Sequence, residues 1–287
     1  MKLAIVTDST AYLTSEQITE NNIKVIPIPL TIDGESYLEG VNLSTTDFYS
    51  KLKNSKTLPT TSQPPLGEVL QLYSQLAAQG YDTVLSIHLS STISGFVQNL
   101  KVIARDITAI KVIPYDSHIT VMLMGHLVLE AAKLARQGAD LETIIQKLNE
   151  LRASMDEVFI VSDLQNLVKG GRLSNASAFV GSILKIKPLL TFDSTTHKIT
   201  AFEKIRSLKK AYSRAEDLFD QAIRHHDYPL RAIIIHGNNL AEAKKWQQRI
   251  QEKQPEIPIE LSYFGPVVGA HLGDKSIALA WLKNIDK

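Results

Sequence analysis

Short apolar runs with no polar alternation recur along this chain, each followed by a longer amphipathic stretch. Residues 2–7, 23–27, 83–87 and 109–115 are dense in Ile, Val and Leu. Such runs predict strands covered on both faces. Between them, 15–22, 46–54, 67–79, 94–105 and 119–137 carry helical spacing, and Gly80 and Gly138 stand where C-terminal caps belong. This alternation predicts a mostly parallel sheet with right-handed crossovers and flanking helices. Asp140 is placed to cap a further helix over 140–154.

After residue 155 the rhythm changes. The pattern predicts strands at 157–162, 230–236, 257–263 and 276–282, and helices at 207–224 and 241–253. Two more strands, 186–192 and 197–205, flank polar 193–196 and read as a hairpin. The expectation is therefore two α/β domains, 1–155 with a mostly parallel sheet and 156–287 with a mixed one.

Composition narrows the function. Lys plus Arg is 31 and Asp plus Glu is 30, a net charge of +1, which lacks the basic field that general nucleic-acid binding needs. Cysteine is absent, which removes disulfides, thiol catalysis and Cys-ligated zinc. No run reaches the roughly 18 apolar residues of a membrane span. The N-terminal apolar run stops at Asp8, a poor signal peptide and a good first strand. A cytoplasmic protein is expected.

In open α/β sheets, ligands bind beyond the carboxyl ends of the strands. The segments there are rich in hydroxyls: Asp8-Ser9-Thr10, His88-Leu89-Ser90-Ser91 running on to Ser94-Gly95, and Asp116-Ser117. A fourth, Thr60-Thr61-Ser62-Gln63-Pro64, lies between elements. Turn and cap chemistry alone accounts for any one of them; four together point to a polar small-ligand site. No nucleophile elbow forms, because Thr92 and Phe96 stand where the glycines around Ser94 would be. Neither a P-loop nor a dinucleotide-binding glycine motif occurs. The eight histidines show no metal-ligand spacing, so no metal is expected; His225-His226 reads as a solvated helix terminus. Lys169-Gly170-Gly171-Arg172-Leu173-Ser174 reads either as an anion-holding turn before a helix or as a tight turn with Ser174 as N-cap. The stretch 265–273 reads as a Gly-rich loop, with His271 either at a ligand or a structural residue.

These segments together resemble the DegV family of bacterial fatty-acid-binding proteins. The matching residues are Thr7-Asp8-Ser9-Thr10, Thr61-Ser62-Gln63-Pro64, His88-Leu89-Ser90-Ser91 with Ser94-Gly95, Asp116-Ser117, Lys169-Gly170-Gly171-Arg172 with Ser174, Lys185-Ile186-Lys187-Pro188, and Gly265-Pro266 with Gly269, His271 and Gly273. They run in family order over nearly the whole chain. The resemblance implies one long-chain fatty acid in a buried tunnel between the domains, and no cofactor. Its carboxylate would be held by Thr61, Ser94 and His271, with Asp8, Ser9, Ser62, Gly95, Ser117 and Gly269 in the pocket loops. It also implies a non-catalytic carrier that presents the acid to a separate fatty acid kinase subunit, docking through Arg172 and Arg206. The acyl phosphate then enters phospholipid synthesis.

Three stretches depart from the family pattern: Val121-Met122-Leu123-Met124 where small residues are usual, Phe96 after Ser94-Gly95, and Gly273-Asp274-Lys275. They bear on tail length and kinase coupling. Candidates for the tunnel lining are Phe159, Phe179, Ile183, Leu184, Ile186 and Leu189; ordinary core packing would use the same residues. Arg172, Lys185, Lys187, Arg206, Lys209 and Lys210 are candidates for a basic face toward the kinase or, transiently, an anionic membrane surface. The alternative reading is a hydrolase or phosphoryl-transfer enzyme using the same Ser/Thr/His pocket with Asp8 or Asp116. A third is an interaction module that takes up no lipid.

Overall fold

The computed structural model describes residues 2–179 and 186–286. In chain order the elements are β1 (Leu3–Asp8), α1 (Ser15–Glu20), β2 (Lys24–Ile26), β3 (Pro29–Ile32), β4 (Glu35–Leu38), α2 (Thr45–Asn54), β5 (Thr60–Thr61), α3 (Leu66–Ala78), β6 (Thr83–His88), α4 (Phe96–Ile103), β7 (Lys111–Asp116), α5 (Val121–Arg136) and α6 (Leu141–Ala153). There follow β8 (Asp156–Ile160), α7 (Gln165–Lys169), β9 (Lys187–Phe192), β10 (Ile199–Ile205), α8 (Leu208–His225), β11 (Leu230–His236), α9 (Leu240–Lys253), β12 (Ile259–Tyr263), α10 (Pro266–Leu272) and β13 (Ile277–Lys283).

The chain forms two compact units. The first comprises residues 1–31, 35–43 and 61–153. The second comprises 154–287 together with 32–34 and 44–60, two segments that the sequence reading assigned to the N-terminal domain. The reason is local: α2 packs on α10, and Tyr49 OH donates to the Phe264 carbonyl at 2.9 Å.

The first unit holds a four-stranded sheet of order β2-β1-β6-β7, with every pair parallel. The order reverses between β1 and β6, so the loops after these two strands flank the crevice where such sheets take ligands. Val6, Val84, Tyr73, Leu76, Phe96 and Leu100 form its core. Gly80 and Gly138 end α3 and α5 with φ of 82° and 81°, the left-handed caps expected from sequence. Asp140 accepts from Thr143 N–H at 2.8 Å, and this bond holds its carboxyl below the usual range. A small sheet of order β4-β3-β5 was not anticipated.

The second unit holds a six-stranded mixed sheet, β10-β9-β8-β13-β11-β12, in which only β11 and β12 run parallel among its pairs. The expected hairpin is β9–β10, closed by Asp193, whose carboxylate takes the Thr195 and Thr196 N–H groups. Tyr212, Phe219, Trp246 and Trp281 dominate the core. No helix among the described residues is long and apolar enough to cross a membrane.

Candidate functional site

In the first unit, the loops beyond β1, β6 and β7 are tied together by a buried polar chain. Asp8 ends β1, and its carboxylate accepts from Thr10 N–H, Thr10 Oγ1 and Leu89 N–H at 3.1, 2.6 and 3.1 Å. It also meets His88 Nδ1 at 3.0 Å. His88 Nε2 lies 2.7 Å from Ser86 Oγ, which lies 2.8 Å from Tyr73 OH. Asp8, Ser86 and His88 are fully buried. One proton arrangement satisfies the whole row: Tyr73 donates to Ser86, Ser86 to His88, and His88 to Asp8. Burial pushes the Tyr73 hydroxyl up to about 12, so it stays a donor. The row has the residue types of a hydrolytic triad, but no surface on which a substrate could meet Ser86.

Three of the expected pocket-loop side chains therefore serve the scaffold. Asp8 braces the β1 and β6 loops. Ser9 donates to Glu39 and accepts from Ile28 N–H. Ser117, fully buried, closes its own turn on Ile119. Asp116 does the same for its neighbours, accepting from Ser91 and His118 N–H.

Thr61, Ser62, Ser94 and Gly95 lie differently. Ser94 is half-buried immediately before α4, and its oxygen accepts from Phe96 N–H at 3.3 Å. Among the described residues its O–H donates to no acceptor. Thr61 ends β5 and is half-buried. Gln63 joins the two loops: its Oε1 accepts from Asn99 Nδ2 at 2.7 Å, and its Nε2 stands 2.7 Å from where a Cβ on Gly95 would be. The Thr-Ser-Gln-Pro loop is thus clasped to the N-terminal end of α4, where the first N–H groups favour an anion.

The departing segment Val121–Met124 is buried in the first turn of α5, and Val121 has φ 57°, a strained value for a β-branched residue. Gly125 was missed from sequence. A Cβ there would stand 2.8 Å from the Ala11 carbonyl, so only glycine lets α5 approach the β1 loop.

In the second unit, Gly269 and His271 sit on a helix, which corrects the loop reading of 265–273. Pro266 starts α10 and Gly273, at φ 78°, stops it. His271 packs on the Gly-Gly-Arg turn: its Nδ1 would be 2.8 Å from a Cβ on Gly170. Burial, and then the charge of Arg172, lower the His271 imidazole to about 4, so it is neutral near pH 7. Arg172 is half-buried, donates to the Gly170 carbonyl at 2.6 Å, and is itself lowered by burial. Ser174 does not cap a helix; its hydroxyl donates to the Ile199 carbonyl at 2.8 Å. Arg206 is exposed between β10 and α8, beside exposed Lys209 and Lys210. Lys187 donates to the Ser162 carbonyl. Of the lining candidates, Phe159 and Leu189 are buried core and Ile186 is half-buried. Ile183, Leu184, Lys185 and the Phe179 side chain lie outside the described residues.

Residues 2–284 match the family described as "Uncharacterised protein, DegV family". The chain is 42% identical over 282 residues to Protein DegV of Bacillus subtilis, covering 98% of this chain and 99% of that one. It is 46% identical over 280 residues to a DegV domain-containing protein of Listeria monocytogenes, covering 98% of each. Among solved structures, DegV from Bacillus subtilis, a fatty acid binding protein, superimposes with a TM-score of 0.90 at 41% identity, over 99% of this chain and 100% of that one. A fatty acid binding DegV family protein from Streptococcus agalactiae does so with a TM-score of 0.92 at 36% identity, over 99% of each. The architecture and the ordered motifs have one explanation: this chain belongs to the DegV family.

Proposed function

We propose that this chain is a cytoplasmic fatty acid carrier that binds one long-chain acid and presents it to a separate kinase subunit. The observation that carries the reading is its match, over nearly its whole length, to a Bacillus subtilis protein described as fatty acid binding. Thr61 and Ser94 are the hydroxyl donors to the carboxylate, and His271 stands at the head group as a neutral imidazole. Ser94 suits this role because its O–H has no acceptor among the described residues and α4 begins beside it. Affinity comes mainly from the tail. A sixteen-carbon chain buries about fifteen methylene and methyl groups at about 0.8 kcal/mol each, on the order of 12 kcal/mol before association costs. The carboxylate must then be hydrogen-bonded, because an unpaired buried charge is very costly. Hydroxyl donors do this without a full positive charge, which leaves the acid's oxygen a better nucleophile toward a phosphoryl donor. Arg172 and Arg206 are the residues we assign to kinase docking.

The test is lipid identification in freshly purified protein by native mass spectrometry, followed by fatty acid titration of Ser94→Ala and Thr61→Val. A hydrogen bond to a charged group is worth about 1.5–3 kcal/mol, so each variant should lose about tenfold or more in affinity. Protein that stays lipid-free with palmitate and oleate would overturn the reading. Unchanged affinity in both variants would overturn the carboxylate assignment alone.

A further inference from the structure

The loop that carries Ser94 is fastened at both ends by one buried pair. This loop, 89–95, leaves β6 at His88 and enters α4 at Phe96. At its start, the Leu89 N–H donates to Asp8 Oδ2 at 3.1 Å. At its end, the Phe96 ring lies against the His88 imidazole, with centroids 4.6 Å apart and planes at 69°. Aromatic rings prefer this edge-to-face arrangement. His88 is kept from turning away because both ring nitrogens are held, Nδ1 by Asp8 at 3.0 Å and Nε2 by Ser86 at 2.7 Å. His88 and Phe96 are fully buried. Asp8 thus holds the first residue of the loop directly, and the residue after the loop through the His88 ring.

The consequence reaches the Ser94 hydroxyl. The Phe96 N–H meets Ser94 Oγ at 3.3 Å. A serine side chain has three staggered positions to sample. An N–H fixed in place selects the one that brings the oxygen to it. That oxygen is then engaged as an acceptor, and its proton is left to donate elsewhere. The backbone around it is also held. The Ser90 carbonyl accepts from the Ile93 and Ser94 N–H groups at 3.1 and 3.2 Å, and the Ser90 N–H donates to the Ile119 carbonyl at 2.8 Å. What remains to be set is the hydroxyl itself, and the Phe96 amide sets it.

Phe96 also packs in the core with Val6, Tyr73 and Leu100. Any large apolar side chain fills that space, but only a ring makes the contact with His88. Phe96 is moreover one of the positions at which this chain departs from the family pattern.

We propose that His88 and Phe96 are positioning residues for ligand binding. The His88 ring seats Phe96, and the Phe96 N–H holds the Ser94 oxygen so that its O–H is aimed in advance at the fatty acid carboxylate. This rests on the assignment of Ser94 to that carboxylate. Neither ring touches the carboxylate; both act through Ser94. A donor ordered before binding removes part of the ordering cost of binding. Donation to an anion also makes the Ser94 oxygen a stronger acceptor, because linked hydrogen bonds polarise one another. The Phe96 N–H bond therefore tightens when the carboxylate arrives.

The test uses the full chain and palmitate affinity, read by displacement of a fluorescent fatty acid. Native protein, Ser94→Ala, Phe96→Leu and the double variant make one cycle. Phe96→Leu should weaken palmitate several-fold, and by no more than Ser94→Ala does. In the Ser94→Ala background it should cost nothing further. His88→Gln, which keeps a donor for Asp8 and removes the ring, should behave as Phe96→Leu does. Equal losses in both backgrounds would reduce Phe96 to core packing and overturn the proposal, while leaving Ser94 on the carboxylate. Full affinity in Ser94→Ala would overturn the carboxylate assignment, and the proposal with it.

A second measurement needs no change to either ring. In ¹⁵N-labelled protein, the assigned Phe96 amide proton should move downfield saturably with palmitate, and this movement should vanish in Ser94→Ala. A Phe96 amide that stays in place at palmitate saturation, or moves equally in Ser94→Ala, overturns the proposal even where Phe96→Leu and His88→Gln do not fold.

Discussion

Gln63 fills the space that a side chain at position 95 would need, with its amide nitrogen 2.7 Å from the place of a Gly95 Cβ. The same amide accepts from Asn99, so one exposed side chain fastens the Thr61 loop to α4.

Gly95→Ala should therefore push the Gln63 amide away and loosen the loop that carries Thr61. Gly95 has φ −72°, a value any residue adopts, and the obstacle is the end of a flexible side chain. Stability should hardly change, by about 0.5 kcal/mol or less. Fatty acid affinity should fall several-fold, because a loosened hydroxyl must be re-ordered on binding. Displacement of a fluorescent fatty acid, read beside a thermal melt, separates the two effects. A large loss of melting temperature with unchanged affinity would show that Gln63 braces the fold and not the site.

His271 gives a pH signature of stability. Its folded-state value is about 4, against 6.5 for an ordinary imidazole, through burial and then the Arg172 charge. Below about pH 6.5 the unfolded chain takes up a proton that the folded chain refuses. The stabilising difference is therefore complete above pH 6.5 and is lost as pH falls toward 4. His271→Asn should flatten the decline of the urea midpoint across that window. Curves that fall in parallel for both proteins would mean that the histidine ionises freely in the folded state.

Much of this architecture was legible because strands covered on both faces announce themselves as unbroken apolar runs. The glycine caps at 80 and 138, the cap at Asp140 and the β9–β10 hairpin carried local signals that the structure realises. Asp33-Gly34 carries one too, since a two-residue Asp-Gly turn with φ of 48° and 86° joins the four-residue strands β3 and β4. Helix α10 was hidden by its glycines, which usually mark loops. The Asp8–His88–Ser86–Tyr73 row was illegible for another reason. It is assembled by parallel pairing of β1 with β6 and by the placement of α3, and no spacing within the chain encodes it.

That row predicts a strong effect at Asp8. Its carboxylate receives four hydrogen bonds in full burial, two of them from backbone N–H groups of two different loops. Asp8→Asn keeps the shape but turns one acceptor into a donor, so at least one buried N–H loses its partner. The cost should be about 3 kcal/mol. Both tryptophans lie in the second unit, so their fluorescence reports that unit. Circular dichroism in urea should therefore show a shifted early transition, with a smaller change in tryptophan fluorescence. Coincident curves at the native midpoint would show that the amide is accommodated and that the network adds little.

Glycine replacement gives the closing prediction, because two helical glycines should respond with opposite signs. Gly67 in α3 has nothing within 4 Å of where a Cβ would be, so Gly67→Ala should raise stability, by up to about 1 kcal/mol, through reduced backbone freedom. Gly269 in α10 faces Phe48 Cε1 and Tyr49 OH, both 2.8 Å from its Cβ position. Phe48 is fully buried and packs edge-on against Tyr49 at 4.9 Å, while Tyr49 is held by its bond to Phe264, so neither ring has room to yield. Overpacking of about 1–3 kcal/mol then outweighs the same helix gain, and Gly269→Ala should be destabilised by about 1–2 kcal/mol. Tryptophan fluorescence in urea reads the second effect directly, since Gly269 and both reporters share the second unit. A stabilised Gly269→Ala would mean that α2 moves off α10 at little cost, and that its membership of the second unit does not rest on this contact.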